Sequence, residues 1–235
     1  MNTKKGLELI ESLKNDTKRF CKQGKGYPLL LEYFRGLPIE TLRPLFYFED
    51  KWIKHVALWI ASELGSKQGW PLLKEALMLF NDKNSDTCSI HLAADVIVNC
   101  AHGEYLCEFV KTILLLEHAD PVLRQLTILR ISGLSKDRIQ DAYGYMVNRK
   151  GYDDHEKGLL ALLHIDEITP LEVTQMINSD KVLDRKYGIA IARKLYKKYP
   201  QIIHDAVNHQ DSDVSEFAKV EISTRTRNRN SHRGS

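Results

Sequence analysis

The residue of this sequence best suited to chemistry is an aspartate inside an apolar helix. Asp95 lies in the segment HLAADVIVNC, where almost every other side chain is apolar. A carboxylate is costly in such surroundings unless it is paired or faces a groove. His91 precedes it by one helical turn, so the imidazole can pair with the carboxylate. Two interpretations stay open: a local His–Asp pair at a helix seam, or an acid on a binding surface.

Three tryptophans, Trp52, Trp59 and Trp70, lie close together in the chain. Tryptophan often anchors interfaces because it buries a large area with little loss of entropy, and it also fills ordinary cores. For Trp59 both roles stay open, whereas Trp70, beside Pro71, is expected to pack.

Common enzyme and metal motifs are absent from the sequence. It contains no Gly-rich phosphate loop, no HExxH and no nucleophile elbow. The cysteines Cys21, Cys88, Cys100 and Cys107 form no CxxC pair and are expected to be reduced thiols. Cys100, His102 and Cys107 are close enough to suggest zinc, but no fourth ligand accompanies them. We therefore predict no catalytic residue, no metal and no cofactor.

Composition and length favour one folded domain. A content of 43% apolar and 28% charged residues excludes bulk disorder, and 235 residues can bury a large core. No apolar run approaches the roughly 18 residues that a membrane span needs, and the N-terminal segment lacks an apolar signal core. We therefore expect a cytoplasmic protein without a membrane contact.

The net charge of +3 hides an uneven distribution. Residues 55–120 contain 4 basic and 9 acidic side chains, an acidic belt that suits phosphate backbones poorly. Residues 223–235 are predicted to be a basic, disordered tail. We favour a solvated tail without a function of its own over an arm that binds nucleic acid. It contains no acid and four arginines: Arg225, Arg227, Arg229 and Arg233.

Helices must position these side chains, and a repeated aspartate indicates where the helices begin. An aspartate side chain can cap the free N–H groups of a helix start. The intervals between the repeated aspartates are 36, 34, 34, 26 and 33 residues, which is typical of helix-pair repeats, and the short interval indicates a trimmed pair. The aspartates are Asp50, Asp86, Asp120, Asp154, Asp180 and Asp213.

The segment DPVLRQLTILRISGLS at residues 120–135 resembles the second helix of a HEAT-type repeat, where an Asp-Pro-x-hydrophobe-Arg start is common. No segment shows the strict alternation of a strand. We predict an all-α, right-handed solenoid of about six HEAT-like antiparallel helix pairs, in a single domain over residues 1–222. Before the repeats, one helix is expected over residues 3–22, followed by short helices from Pro28 and Pro38. Arg124 is expected to pair with a neighbouring aspartate.

The second helices of such arrays usually line the concave side, and helical spacing from each aspartate predicts their outward positions. These positions are Trp52, His55 and Trp59; Cys88, His91 and Asp95; Val122, Gln125 and Leu129; Glu156 and Leu163; and Arg185, Ile189 and Arg193. The residues predicted to bind a partner are Trp52, Trp59, His91, Asp95, Gln125 and Leu129.

A second resemblance is local. The segment RKYGIAIARKLYKKYP at residues 185–200 is similar to a helix of the HEAT-like DNA alkylation repair glycosylases. The resemblance implies a DNA-binding protein that excises alkylated bases, with Asp95 as its carboxylate. The tryptophan of that family's helix falls on Ala190, and His91 stands where a second tryptophan is expected. The matching residues are Arg185, Lys186, Arg193, Lys197 and Pro200.

A small solenoid with an acidic centre also resembles immunity proteins, the cognate inhibitors of bacterial toxins. That resemblance implies a basic toxin domain as the partner, because opposite fields speed encounter and favour register. We favour a non-enzymatic protein that binds a protein partner on its concave face. Nucleic-acid binding of the alkylation-repair type is the alternative, and a scaffold that binds through its convex surface or tail is a third hypothesis.

Overall fold

A computed structural model describes residues 3–231, and every regular element in that range is helical. The predicted all-α class is confirmed. The chain divides into two compact units, residues 1–112 and 113–235, and the single domain over residues 1–222 stays a prediction. Since each helix pair of a repeat array packs mainly on near neighbours, periodicity contains no signal for a division between two cores.

The helices of the first part of the chain are α1 (Thr3–Asn15), α2 (Thr17–Lys22), α3 (Gly26–Phe34), α4 (Lys51–Glu63), α5 (Gly65–Gly69), α6 (Leu73–Asn81), α7 (Thr87–Cys100) and α8 (Leu106–Leu114). Unit 1 is built around α4 and α7, which pack against each other. Helix α7 also packs against α5 and α6, and α3 packs against α1 and α4. The division between the units falls within α8.

The start of the chain differs from its prediction. The single helix expected over residues 3–22 is interrupted at Asp16, whose Oδ1 accepts the Arg19 N–H at 2.9 Å and caps α2. The helix expected from Pro38 consists of two short 3-10 segments, Ile39–Thr41 and Arg43–Tyr47. Pro44 explains this difference, because its ring and missing N–H prevent a continuous α-helix.

The helices of unit 2 are α9 (Pro121–Gly133), α10 (Lys136–Met146), α11 (Asp153–Leu163), α12 (Pro170–Ile177), α13 (Val182–Lys194), α14 (Pro200–Ala206) and α15 (Ser212–Ser231). The unit is built around α13, which packs against α9, α11, α12, α14 and α15. Helix α9 also packs against α15. Helical spacing in the segment at residues 120–135 predicts that Ile128 and Ile131 are buried, and both are, with exposed fractions of 0% and 1%.

The repeated aspartates lie at or near helix starts, as predicted. Asp50, Asp86 and Asp120 are the N-caps of α4, α7 and α9, and each accepts backbone N–H groups of the first turn. Asp154 and Asp213 instead occupy the second position of α11 and α15, and Asp180 directly precedes Lys181, the N-cap of α13. Asp50, Asp86 and Asp120 therefore cap their helices, whereas the side chains of Asp154 and Asp213 pair with Lys181 and Arg124.

The last helix, α15, extends to Ser231, past the predicted start of the tail at residue 223. Arg225 explains its first added turn, because the guanidinium pairs with Glu221 at 2.6 Å and stacks on the Tyr196 ring at 4.0 Å. The last four residues of the predicted tail, 232–235, lie outside the described residues. Among the described helices, none is long and apolar enough to cross a membrane.

Candidate functional site

The N-terminus of α4 is fixed by a capping aspartate that a second helix holds in place. The Asp50 Oδ1 atom accepts the Trp52 N–H at 2.9 Å. Its other oxygen, Oδ2, accepts the Thr17 hydroxyl of α2 at 2.9 Å. Because both oxygens are engaged, the first turn of α4, which includes the backbone of Trp52, is held in place relative to α2.

The N-terminus of α7 repeats this arrangement with a histidine in place of the threonine. The Asp86 Oδ1 atom accepts the N–H groups of Cys88 and Ser89 at 3.0 and 3.1 Å. The His55 Nε2 atom lies 3.1 and 3.2 Å from the two carboxylate oxygens. Burial raises the pKa of Asp86, but the Ser89 N–H and His55 outweigh it and hold the pKa below its usual range.

Trp52 is an exposed side chain in a fixed position. The residue is 57% exposed, yet its ring meets the His55 ring edge-on, with centroids 5.4 Å apart. Lys51 places its Nζ atom 5.6 Å from the indole centroid, so the ring already contacts one cation. Trp52 also borders a pocket of about 700 Å³, whose other walls include Lys14, Asp16, Lys18, Cys21 and Asp50.

Trp59 packs within unit 1. A Cβ atom built on Gly26 would lie 3.2 Å from Trp59 Cζ3, so the indole covers the start of α3 closely. The side chain is partly exposed. Of the two roles that the sequence left open for Trp59, this contact accounts for packing, and a role in binding stays a prediction.

His91 and Asp95 form the local pair that their spacing indicated. The His91 Nε2 and Asp95 Oδ2 atoms are 3.5 Å apart on α7, and the side chains remain 22% and 30% exposed. The pair is an ion pair when the imidazole is protonated. Asp95 is thus a partly accessible carboxylate on a helix that is otherwise mostly buried.

The remaining predicted partner residues lie in unit 2. Gln125 donates its Nε2–H to the Asp213 carbonyl at 2.7 Å, so its amide is used inside the unit. Leu129 is 39% exposed. The outward assignment is wrong for His55 and Ile189, which are 8% and 0% exposed. His55 is turned toward the capping carboxylate of Asp86. Ile189 lies on α13, which several other helices of unit 2 cover.

Two arginines of unit 2, which lie two intervals of the aspartate repeat apart, make similar contacts. The Arg124 Nε–H donates to Asp213 at 2.6 Å, and the Arg185 Nε–H donates to Asp211 at 2.6 Å. Each arginine also donates from its terminal nitrogen to the carbonyls six and five residues earlier in the chain. Arg124 pairs with an aspartate as predicted, but the partner is Asp213, 89 positions along the chain, and not a neighbouring aspartate of the repeat.

The cations of the segment that resembles the alkylation repair glycosylases are largely used inside unit 2. Lys186 is buried and donates to the Leu116 carbonyl, and burial lowers the pKa of its amine. Arg193 pairs with Glu221 at 3.1 Å. Ala190, where that family has a tryptophan, is 1% exposed. This helix therefore offers little of its charge to a phosphate backbone.

One polar chain was missed by sequence reasoning. The His155 Nε2 atom lies 2.9 Å from Glu117 Oε1, and its Nδ1 atom lies 3.0 Å from the Tyr187 hydroxyl. Burial, with the charge of Glu117 adding to it, raises the pKa of Tyr187 far above its usual range. The phenol is completely buried. The three linked side chains therefore order the core of unit 2 and offer no accessible nucleophile. No local signal could have indicated it, because the three residues lie far apart in sequence.

Comparison with known proteins identifies no family for this chain. No protein-family model matches the sequence. A search of curated proteins also finds no match. The function is therefore argued from the geometry of the side chains described above.

Proposed function

We propose that this is a non-enzymatic, cytoplasmic protein built from HEAT-like helix pairs, which binds a protein partner through unit 1 around Trp52. The observation that carries the proposal is an exposed indole in a fixed position. Trp52 is 57% exposed, while its backbone is held by the Asp50 cap and its ring by His55. An anchor that is ordered before binding loses little entropy on association.

Other exposed aromatic side chains of unit 1 support the same conclusion. Aromatic residues are enriched in protein interfaces relative to the rest of the surface. The strongly exposed large apolar side chains of unit 2 are aliphatic instead: Val122, Leu129, Leu160, Leu171, Val182 and Val220. The exposed aromatic side chains of unit 1, besides Trp52, are Tyr27 (62%), Phe34 (51%), Tyr47 (60%) and Trp70 (45%).

The HEAT-like part of the proposal is supported by the repeated arginine contacts. Arg124 and Arg185 occupy equivalent places relative to the starts of α9 and α13, and both join an aspartate near the start of α15 to carbonyls before their own helix. A contact that recurs with the same register is expected of a repeat whose units are similar. We extend this to the whole chain as a solenoid of about six pairs.

The partner that we propose is a basic protein domain, such as a bacterial toxin that an immunity protein inhibits. Many acids of the acidic belt are engaged inside their own unit: Glu75 pairs with Arg43 at 2.8 Å, and Glu108 pairs with Lys111 at 2.6 Å. We therefore assign affinity first to the aromatic anchor, and assign to Asp95 and the other exposed acids the steering of a basic partner.

The test uses the protein encoded beside this gene as the candidate partner. We expect calorimetric titration to show binding that Trp52→Ala weakens by at least about 2 kcal/mol, the loss typical of an interface hot spot. Leu171→Ala is the matched control, because Leu171 is 67% exposed but belongs to unit 2. Asp95→Lys should weaken binding by about 2–5 kcal/mol if the carboxylate is paired in a desolvated interface. Equal affinities of wild type, Trp52→Ala and Leu171→Ala would refute the assignment of the surface.

Base excision is the alternative, and the partly exposed carboxylate of Asp95 is the observation that favours it. This function predicts that the purified protein releases an alkylated base from duplex DNA and that Asp95→Asn abolishes the release. Such a result would overturn the protein-binding proposal. Absence of release, together with tight binding to the neighbouring gene product, would support it.

A further inference from the structure

Three side chains of different metal-binding types converge at the start of α7. The ligand atoms of His55, Asp86 and Cys88 all lie within 4.8 Å of one another. His55 is 8% exposed, and its Nε2 atom faces the carboxylate of Asp86 and the hydroxyl of Ser89, each at 3.1 Å. A buried imidazole is thus aimed at a carboxylate and a thiol that lie near the surface.

We propose that His55, Asp86 and Cys88 form a zinc-binding site in unit 1, with a fourth position open to water. A thiolate, an imidazole and a carboxylate together are typical ligands of Zn²⁺. The site would tie α4, which contributes His55, to the N-terminus of α7, which contributes the other two. The inference is independent of the proposed function.

Little movement is needed to close the site. Tetrahedral zinc with bonds of about 2.0–2.3 Å requires ligand atoms about 3.5 Å apart. The carboxylate and imidazole are already 3.1 Å apart, so the thiol of Cys88 must make most of the movement. Cys88 is exposed, so its side chain can rotate without repacking the core.

Metal binding exchanges zinc for one proton. Zinc takes the lone pair of His55 Nε2, so the ring proton that Nε2 donates to Asp86 before zinc binds moves to Nδ1. Asp86 is already a carboxylate, and the thiol of Cys88 releases its proton to solvent when the Zn–S bond forms. No oxidant or reductant takes part in this exchange.

The preceding cap of unit 1 is an internal control. There the cap is Asp50, and a cysteine, Cys21, lines the same pocket as the capping carboxylate. The side chain that reaches this carboxylate from another helix is Thr17 of α2, not a histidine. This cap offers no imidazole, so the proposal assigns zinc to the Asp86 cap alone.

The experiment titrates the reduced, chelator-treated full chain with Co²⁺ and then with Zn²⁺. We expect one Co²⁺ per chain, a thiolate-to-cobalt charge-transfer band in the near ultraviolet, and loss of the band when Zn²⁺ is added. Cys88→Ser should abolish the band, and Cys21→Ser should leave it unchanged. His55→Gln should weaken Zn²⁺ binding at least about tenfold, since even loss of an outer partner of a metal ligand costs roughly 10–100-fold.

Circular dichroism of each variant separates loss of the site from loss of folding. The proposal is overturned if the wild type gives no band, or if the band persists in folded Cys88→Ser. It is also overturned if folded His55→Gln binds Zn²⁺ as tightly as the wild type, because the imidazole would then not be a ligand. If His55→Gln fails to fold, His55→Thr reproduces the Thr17–Asp50 pairing of the preceding cap, and the same outcomes apply to it.

Discussion

Replacing Gly158 with alanine tests the packing at the centre of unit 2. Gly158 lies inside α11, and a Cβ atom built on it would lie 2.2 to 2.6 Å from three ring atoms of Tyr187. The ring belongs to α13, is completely buried, and has its hydroxyl held by His155 at 3.0 Å. Neither the ring nor the helix can therefore move aside without breaking other contacts.

Two effects of opposite sign decide the outcome of Gly158→Ala. Alanine in a helix interior is more favourable than glycine by about 1 kcal/mol. Overpacking of a well-packed core costs about 1–3 kcal/mol and occasionally more. Contacts this short involve several ring atoms at once, so we place the cost at the upper end, and we expect a net destabilisation of about 2 kcal/mol.

Thermal and denaturant unfolding measure this change. A loss of about 2 kcal/mol should lower Tm by roughly 4–8 °C for a chain of this size. Gly144→Ala is the matched control, because Gly144 lies in α10 and a Cβ atom added there meets nothing within 4 Å. This substitution should stabilise the protein by up to about 1 kcal/mol. If Gly158→Ala stabilised the protein as much as Gly144→Ala, the close packing of α11 on Tyr187 would be refuted.

Two further predictions concern unit 2. Ile128→Ala should destabilise by about 2–5 kcal/mol because the side chain is fully buried, and thermal unfolding identical to the wild type would show that α9 has another register. Burial raises the pKa of Asp211, but the hydrogen bond from Arg185 outweighs it, so the folded pKa lies below the usual value of 3.8. A depressed folded pKa contributes stability above pH ~4 that is lost as the pH falls through the folded pKa. Urea unfolding from pH 6 to pH 3 should therefore show a shallower loss of stability in Asp211→Asn than in the wild type, and equal slopes would contradict this pairing.

The sequence alone determined the helical class and most helix starts of this protein. Helix starts at Asp50, Asp86 and Asp120 were predictable because a capping carboxylate bonds to N–H groups only two or three residues away. The burial of Ile128 was likewise predictable, because helical periodicity depends only on residues close in sequence. The spacing of His91 and Asp95 likewise indicated their pairing, since side chains four residues apart in a helix are neighbours.

Only the tertiary structure decided which distant side chains meet. The Arg124–Asp213 pair joins residues 89 positions apart, and nothing near either residue selects that aspartate over another. His55 was predicted to face outward, but the Asp86 cap draws it inward, so one side chain changed from a binding candidate into a candidate metal ligand. Periodicity indicates which face of a helix is apolar, whereas the packing of other helices against that helix decides which polar residues at its edge are covered. The exposed position of Trp52 and the burial of Ile189 therefore became known only from the packed chain.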